Sequence, residues 1–395
     1  MDVKNAVSRR NFMGGFAAAL GYVGLRPEDL FAQARGGAVA GSAPRARLSA
    51  DDYDAMAKLA NNENPYGPPE SVMKAMMDAM KYANRYGYPD GGIVQAIADH
   101  HGVKRENVLL GAGSGEILEV VGSTFLQDGK KVVGVDPTYG TVYQHASGIR
   151  ADAIRLPLLP DYRQDMPAMI HATKANYRDV GFVYLCNPNN PTGVIVPKQE
   201  VKQLLDSIPE DMPVLIDEAY HHFVEDPNYE TATPYVIEGR QVIIARTFSK
   251  IVGLAGMRLG YAIAPKNLID RMNAYSVASI NAIVKHGGVA ALKDTAAQEK
   301  VRRINTQLRT RTVNDLQALG YTTIPSQANF FMVHLKRPVV PVIEEFRTRG
   351  VLVGRPFPPM TEHLRVSVGT EDEMNRFMTA FKEIFTASRS TSAQR

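Results

Sequence analysis

The chain has 395 residues, 45% of them hydrophobic and 22% charged, with a formal net charge of +4. It is long enough to bury a large core in two or three domains, or in one large and one small. The charge is slight and no Lys/Arg-rich block stands out, which argues against a nucleic-acid partner. The single cysteine, Cys186, excludes an intrachain disulfide and any Cys-cluster metal site. Its place in the apolar run Val183-Tyr184-Leu185-Cys186 makes it a small core hydrophobe.

Residues 1–34 read as a targeting segment. Ser8-Arg9-Arg10-Asn11-Phe12-Met13 precedes an apolar stretch over 14–25, which is too short and Gly-rich to span a membrane, and then the small-residue pattern Ala32-Gln33-Ala34. This resembles a bacterial twin-arginine export signal, with cleavage expected after Ala34. A periplasmic or exported protein follows, with no membrane contact after export, and a cytoplasmic one if the signal is not used. Residues 35–58 read as a Gly/Ala/Ser-rich linker or arm, and 59–92 as a segment joining the smaller domain. Within it, a turn-dense loop over 59–69 leads to a helix with Val72, Met76, Ala79 and Met80 on one face. A second turn cluster over 84–92 carries Tyr86 and Tyr88.

From 93 to 275 helices alternate with short apolar strands, expected at 108–110, 131–135, 182–186, 214–217, 242–245 and 260–264, with helices at 115–125 and 198–208. Near-continuous apolar strands with helical crossovers predict an α/β domain whose mostly parallel sheet is covered on both faces. Ligands of such sheets bind at the carboxyl ends of the strands. Residues 276–388 predict a smaller α+β domain. Its elements are one long helix over 287–319, a strand at 329–334, a helix at 339–350, a strand pair at 351–353 and 364–368, and a last helix at 371–385. The Ser/Thr-rich residues 389–395 read as a disordered tail.

The residues that bear chemistry sit at predicted strand ends. Lys250 follows the strand 242–245 amid hydroxyls and small residues, where desolvation disfavours the ammonium form and makes the amine nucleophilic. Asp217 and Tyr220 end the strand before it. Asn187 and Asn190 each precede a proline in a rigid loop, Tyr139 follows another strand, and Gly111-Ala112-Gly113-Ser114-Gly115 opens a helix whose free N–H groups suit a phosphate. The glycine run fails the dinucleotide fingerprint, because its third glycine falls on Glu116. Together these residue types point to pyridoxal phosphate catalysis. Lys250 joins the cofactor aldehyde and Asp217 keeps the ring nitrogen protonated. Asn190 and Tyr220 bond the ring phenolate oxygen, Tyr139 covers the ring, and Gly113, Ser114, Thr247, Ser249 and Arg258 cradle the phosphate.

Over about 55–385 the chain resembles a fold-type I aminotransferase, closest to the histidinol-phosphate aminotransferase group. The resemblance rests on Asn62-Glu63-Asn64-Pro65-Tyr66-Gly67-Pro68, on Asn190-Pro191-Thr192-Gly193 and on Asp217-Glu218-Ala219-Tyr220. It also rests on Ser249-Lys250 with Gly253-Leu254-Ala255-Gly256-Met257-Arg258, and on Leu364-Arg365-Val366-Ser367-Val368-Gly369. It implies transamination between a small-molecule amino donor and 2-oxoglutarate, in a homodimer with no metal. Arg365 would clamp the donor's carboxylate or phosphate, with Arg355, Tyr66 and Asn64 beside it, and Tyr86 or Tyr88 would reach the partner's cofactor phosphate. A decarboxylase of the threonine-phosphate type, and a periplasmic aminotransferase for unphosphorylated aromatic or basic amino acids, are the other readings.

Overall fold

The computed structural model describes residues 49–277 and 279–392, with side chains to residue 385. The export signal expected at 1–34, most of the linker expected at 35–58 and the last three residues of the expected tail lie outside the described residues. Among the described residues, those up to 55 and those from 56 onward fall in two separate compact units. In the first, the helix Ala50–Ala55 replaces part of the expected linker; Ser49 opens it, its hydroxyl accepting the Asp52 N–H at 3.0 Å.

The second unit holds three sheets. Seven strands form the largest: β2 (Val108–Gly111), β3 (Lys131–Asp136), β4 (Asp152–Pro157), β5 (Val180–Cys186), β6 (Val214–Asp217), β7 (Val242–Thr247) and β8 (Gly260–Ile263), in the order β2-β8-β7-β6-β5-β3-β4. Only β8 runs against its neighbours. Side chains alternate along the strands, and in the central strands β6 and β7 both sets are largely apolar. Val214 and Ile216 enter one core cluster while Leu215 enters another; Val242 and Ile244 likewise part from Ile243 and Ala245. Such two-sided burial stabilises by roughly 1.5–3 kcal/mol per large side chain and keeps a parallel sheet in the interior. Cys186 is buried among these apolar side chains, as its sequence context predicts.

The smaller domain is built on β9 (Thr323–Ile324), β10 (Phe330–His334) and β12 (His363–Ser367), antiparallel in the order β12-β10-β9. Beside it, β1 (Ala57–Leu59) pairs in parallel with β11 (Val351–Val353). The expected pairing of 351–353 with 364–368 is therefore wrong: β11 takes β1 from the far end of the chain, and β12 takes β10. Ala57 and Leu59 join the small-domain core. The helix Glu70–Asp78 does not; it packs on the helix Ala282–Lys293, and Val72, Met76 and Val284 belong to the large core. Both 59–92 and the start of 276–388 are thus shared between the domains.

Other local differences have simple causes. The predicted helix over 287–319 is two helices, Ala282–Lys293 and Thr295–Ala318, parted at Asp294, whose carboxylate caps the second by accepting the Ala297 N–H at 3.0 Å. Met80 lies beyond the end of its helix and is exposed. The last helix, Glu371–Ser392, runs through residues expected to be disordered. No helix among the described residues is long and apolar enough to cross a membrane.

Candidate active site

Parallel pairing brings the carboxyl ends of β2, β3, β5, β6 and β7 to one edge of the sheet, with Cys186 beside Asp217 and Asp217 beside Ala245. Because β8 is antiparallel, its first residue, Gly260, lies at that same edge opposite both Gly111 and Thr247. A cavity of about 330 Å³ opens there, lined from the large domain by residues including Ser114, Tyr139, Asn190, Asp217, Tyr220 and Lys250. The loop Asn61, Asn62 and Glu63 closes it, together with Arg355, Phe357 and Arg365.

One wall of the cavity is a cradle for a phosphate. Gly113 holds φ at +83° at the start of the helix Ser114–Phe125, a conformation that L side chains rarely adopt. A Cβ on it would stand 2.1 Å from the Arg258 guanidinium, so only glycine lets that side chain lie across the helix N-terminus. Gly260 is equally constrained, since its Cβ would meet the Ser114 N at 2.4 Å. Arg258 donates to Ala112 O at 3.0 Å, Ala255 O at 2.9 Å and Ser249 Oγ at 3.4 Å. Thr247 Oγ1 donates to Ser249 Oγ at 2.8 Å and accepts the Ser249 N–H at 3.0 Å. Hydroxyls, helix N–H groups and a guanidinium converge here as a dianion requires.

The floor carries the acid and the amine. Asp217 is 2% exposed and accepts the Ala219 N–H at 3.1 Å. Burial pushes its carboxyl up to about 7, opposed by that bond and by the Lys250 charge. Lys250 Nζ donates to Asn61 O at 3.2 Å and lies 5.6 Å from the centre of the Tyr220 ring. Burial brings its amine down to about 8; Arg365 and Arg258 add to the shift, and Glu63 and Asp217 oppose it. Tyr220 Oη accepts from Asn62 Nδ2 at 3.0 Å and Asn190 Nδ2 at 3.4 Å, which leaves its own O–H to donate into the cavity. Of Asn187 and Asn190, Asn187 is spent on the backbone of Val196, so Asn190 is the one that faces the site.

Across the cavity, Arg365 donates to Asn190 Oδ1 and to Ala60 O, both at 2.7 Å. Its guanidinium lies 4.7 Å from the Phe357 ring centre, and its buried Nε has no hydrogen-bond partner among the described residues. Burial lowers this arginine to about 10, opposed by Tyr220 and helped by Arg355. Arg355 covers the same Phe357 ring at 4.4 Å and is exposed at the cavity mouth. Tyr139 lines the cavity 38% exposed, with a free ring to stack on a ligand.

Three predicted residues are not brought to this cavity. Asn64 is consumed by its loop, donating to Ile251 O at 2.9 Å and accepting the Tyr66 N–H at 3.0 Å. Tyr66 is 46% exposed and lies against a separate small cleft beside Phe223 and Ile304. Tyr86 is fully exposed at 106%, whereas Tyr88 Oη is held by His286 Nε2 at 2.8 Å. Sequence reasoning missed Asn61, Asn62, Glu63 and Phe357. Asn62 carries a signal, since asparagine tolerates its φ of +55° and its position precedes the turn at Pro65.

The donor set fits pyridoxal phosphate. A buried acid waits for a protonated ring nitrogen, a depressed amine for an aldehyde, and a cradle that a Cβ would fill for a phosphate. Fold and site together define a pyridoxal phosphate-dependent transaminase of fold type I. The chain belongs to the aminotransferase class I and II family, whose pattern matches residues 54–381. It is 36% identical over 334 residues to the histidinol-phosphate aminotransferase of Moorella thermoacetica, covering 83% of this chain and 85% of that one. Identity to the corresponding enzyme of Caldicellulosiruptor saccharolyticus is 33% over 336 residues, covering 83% and 91%. The structure of histidinol-phosphate aminotransferase from Sinorhizobium meliloti in complex with pyridoxal-5'-phosphate has a TM-score of 0.79 and 25% identity, over 88% of this chain and 96% of that one. Amino and keto acids are the substrates such a family implies.

Proposed function

We propose that the protein transfers the amino group of histidinol phosphate, or of an amino acid of similar shape, to 2-oxoglutarate. The observation that carries this reading is that Lys250, Asp217 and Arg365 line one cavity. When bound, pyridoxal phosphate supplies the aldehyde and the protonated ring that takes up an electron pair. Asp217 would accept from the protonated ring nitrogen, Tyr220 and Asn190 would bond the ring oxygen, and Arg258 with Ser249 would hold the phosphate. Arg365 grips the donor's anionic end and so orients its α-hydrogen toward Lys250 Nζ, which moves the proton as base and then as acid. An amine depressed to about 8 is half neutral near that pH, and the neutral half can accept it.

An unphosphorylated aromatic or basic amino acid is the second donor class, favoured by the export-like residues 8–34, since phosphorylated precursors stay in the cytoplasm. Half-reactions of the purified holoenzyme test both readings. Bleaching of the bound cofactor's absorbance with oxo-product formation is expected; carbon dioxide release without an oxo product would instead make it a decarboxylase. Export is tested by fractionation, with mature protein expected in the periplasm; protein confined to the cytosol and retaining residues 1–34 would remove that proposal. The homodimer is supported by Tyr86, which projects from its own subunit and is available to a second copy's phosphate cradle.

A further inference from the structure

Glu63 stands in the loop that closes the substrate side of the cavity, and its backbone is fixed on both flanks. The Asn62 N–H donates to Ser367 Oγ at 2.8 Å, and the Asn329 amide donates to Asn62 O at 3.1 Å and Glu63 O at 3.3 Å. On the other side, Asn64 Nδ2 holds Ile251 O at 2.9 Å. With its main chain pinned there, Glu63 stands between this cavity and the small cleft beside Tyr66 and lines both. It lines the cavity half-buried, and its charge is felt at Lys250.

Among the described residues, the Glu63 carboxylate makes no hydrogen bond and no ion pair. Every other charge in the cavity has a task in the reaction just described. Lys250 and Asp217 serve the cofactor's aldehyde and ring nitrogen, Arg258 its phosphate, and Arg365 with Arg355 the donor's anionic end. A carboxylate on a cavity wall with no cation beside it is available to one that a ligand brings, and a charge-assisted hydrogen bond is the stronger kind. The amine of the donor goes to the cofactor and its anion to Arg365. What remains to meet Glu63 is the side chain.

We propose that Glu63 determines donor specificity by binding a cationic or N–H-bearing side chain, an imidazolium or alkylammonium, of the amino donor. This rests on the transaminase reading and narrows its substrate class. Neutral aromatic donors gain nothing from a carboxylate and bear the cost of desolvating it, so they are the disfavoured class.

The test is Glu63→Gln in the holoenzyme, which keeps size and loop geometry while removing the charge. Half-reactions are measured with histidinol phosphate, histidine and lysine on one side, and phenylalanine on the other. KM for the first group is expected to rise roughly 10- to 100-fold, the factor a charge-assisted hydrogen bond carries, with kcat little changed and phenylalanine unaffected or improved. Calorimetry adds a readout free of turnover. Imidazolepropionate, which lacks the reacting amine, is expected to bind the variant more weakly by a similar factor, while phenylpropionate binds both proteins alike. Equal changes for both classes, or no change for either, would overturn the assignment. If the wild type consumes no amino donor, the transaminase reading falls by itself, and the two analogues still decide what Glu63 binds.

Discussion

Lys250 and Asp217 each lose water without gaining a full partner until the cofactor arrives, and the two losses act at opposite ends of the pH scale. Burial holds the Asp217 carboxyl at about 7, above its ordinary 3.8, so between those values the fold keeps a proton that the unfolded chain has released. The folded apoprotein binds more protons there, and its stability falls as pH rises through that window. Lys250 does the reverse. Its amine at about 8, below the ordinary 10.5, means that the unfolded chain holds the extra proton and stability rises across that interval. We expect the urea midpoint of the apoprotein to fall from about pH 4 to 7 by an amount that Asp217→Asn abolishes, worth a few kcal/mol at most at roughly 1.4 kcal/mol per unit. A parallel fall in the variant would show that other groups carry it. Both residues were legible in sequence because each ends an apolar strand. Asn62 and Glu63 were legible as part of a motif but not as cavity residues, because their placement depends on Ser367 and Asn329, far along the chain.

The elements that place these residues are stapled by a buried ion pair. Glu218, the residue after Asp217, accepts from Arg246 of β7 at 3.0 Å and 2.6 Å, and the Ala232 N–H and Thr231 hydroxyl complete its shell. Arg246 and Glu218 are 2% and 1% exposed, so neither has water to fall back on. Around them, burial and the Arg246 charge hold His101 at about 2 and His222 at about 3, keeping both rings neutral at ordinary pH. Glu218→Ala strands the guanidinium without a partner, and a loss of about 3–5 kcal/mol is expected in denaturant unfolding. Pairing it with Arg246→Met should recover much of that loss; a single variant within about 1 kcal/mol of wild type would deny the staple. Strands of this kind, apolar on both faces, read clearly from sequence. The edge strand β4 did not, because Asp152-Ala153-Ile154-Arg155-Leu156-Pro157 is half-exposed and has no apolar run. The break at Asp294 was readable, since an acid before Thr295 is an ordinary helix cap, but the periodicity on both sides masked it.

At the scale of the whole molecule, one stretch of the second unit is left uncovered. The helix Glu70–Asp78 turns Val72 and Met76 inward, while Met73, Met77 and Met80 stand 44%, 66% and 51% exposed, with Tyr86 beyond them. A single exposed apolar residue needs no explanation, but three methionines and a wholly exposed tyrosine within residues 73–86 form the surface on which the proposed homodimer is best tested. The homodimer proposed above would cover it, since Tyr86 is wholly exposed and a phosphate cradle accommodates one more hydroxyl. The variant Met73→Glu/Met77→Glu places two carboxylates on that surface and is expected to shift sedimentation from dimer to monomer, with weaker retention of the cofactor. Tyr86→Phe separates the two roles: the dimer should persist while cofactor affinity falls by roughly 10-fold, the scale of one hydrogen bond to a charged group. A wild-type monomer with full activity would sink the dimer proposal. A dimer indifferent to both carboxylates would place its interface elsewhere, and unchanged cofactor affinity in Tyr86→Phe would return the phosphate contact to Tyr88, which must then leave His286.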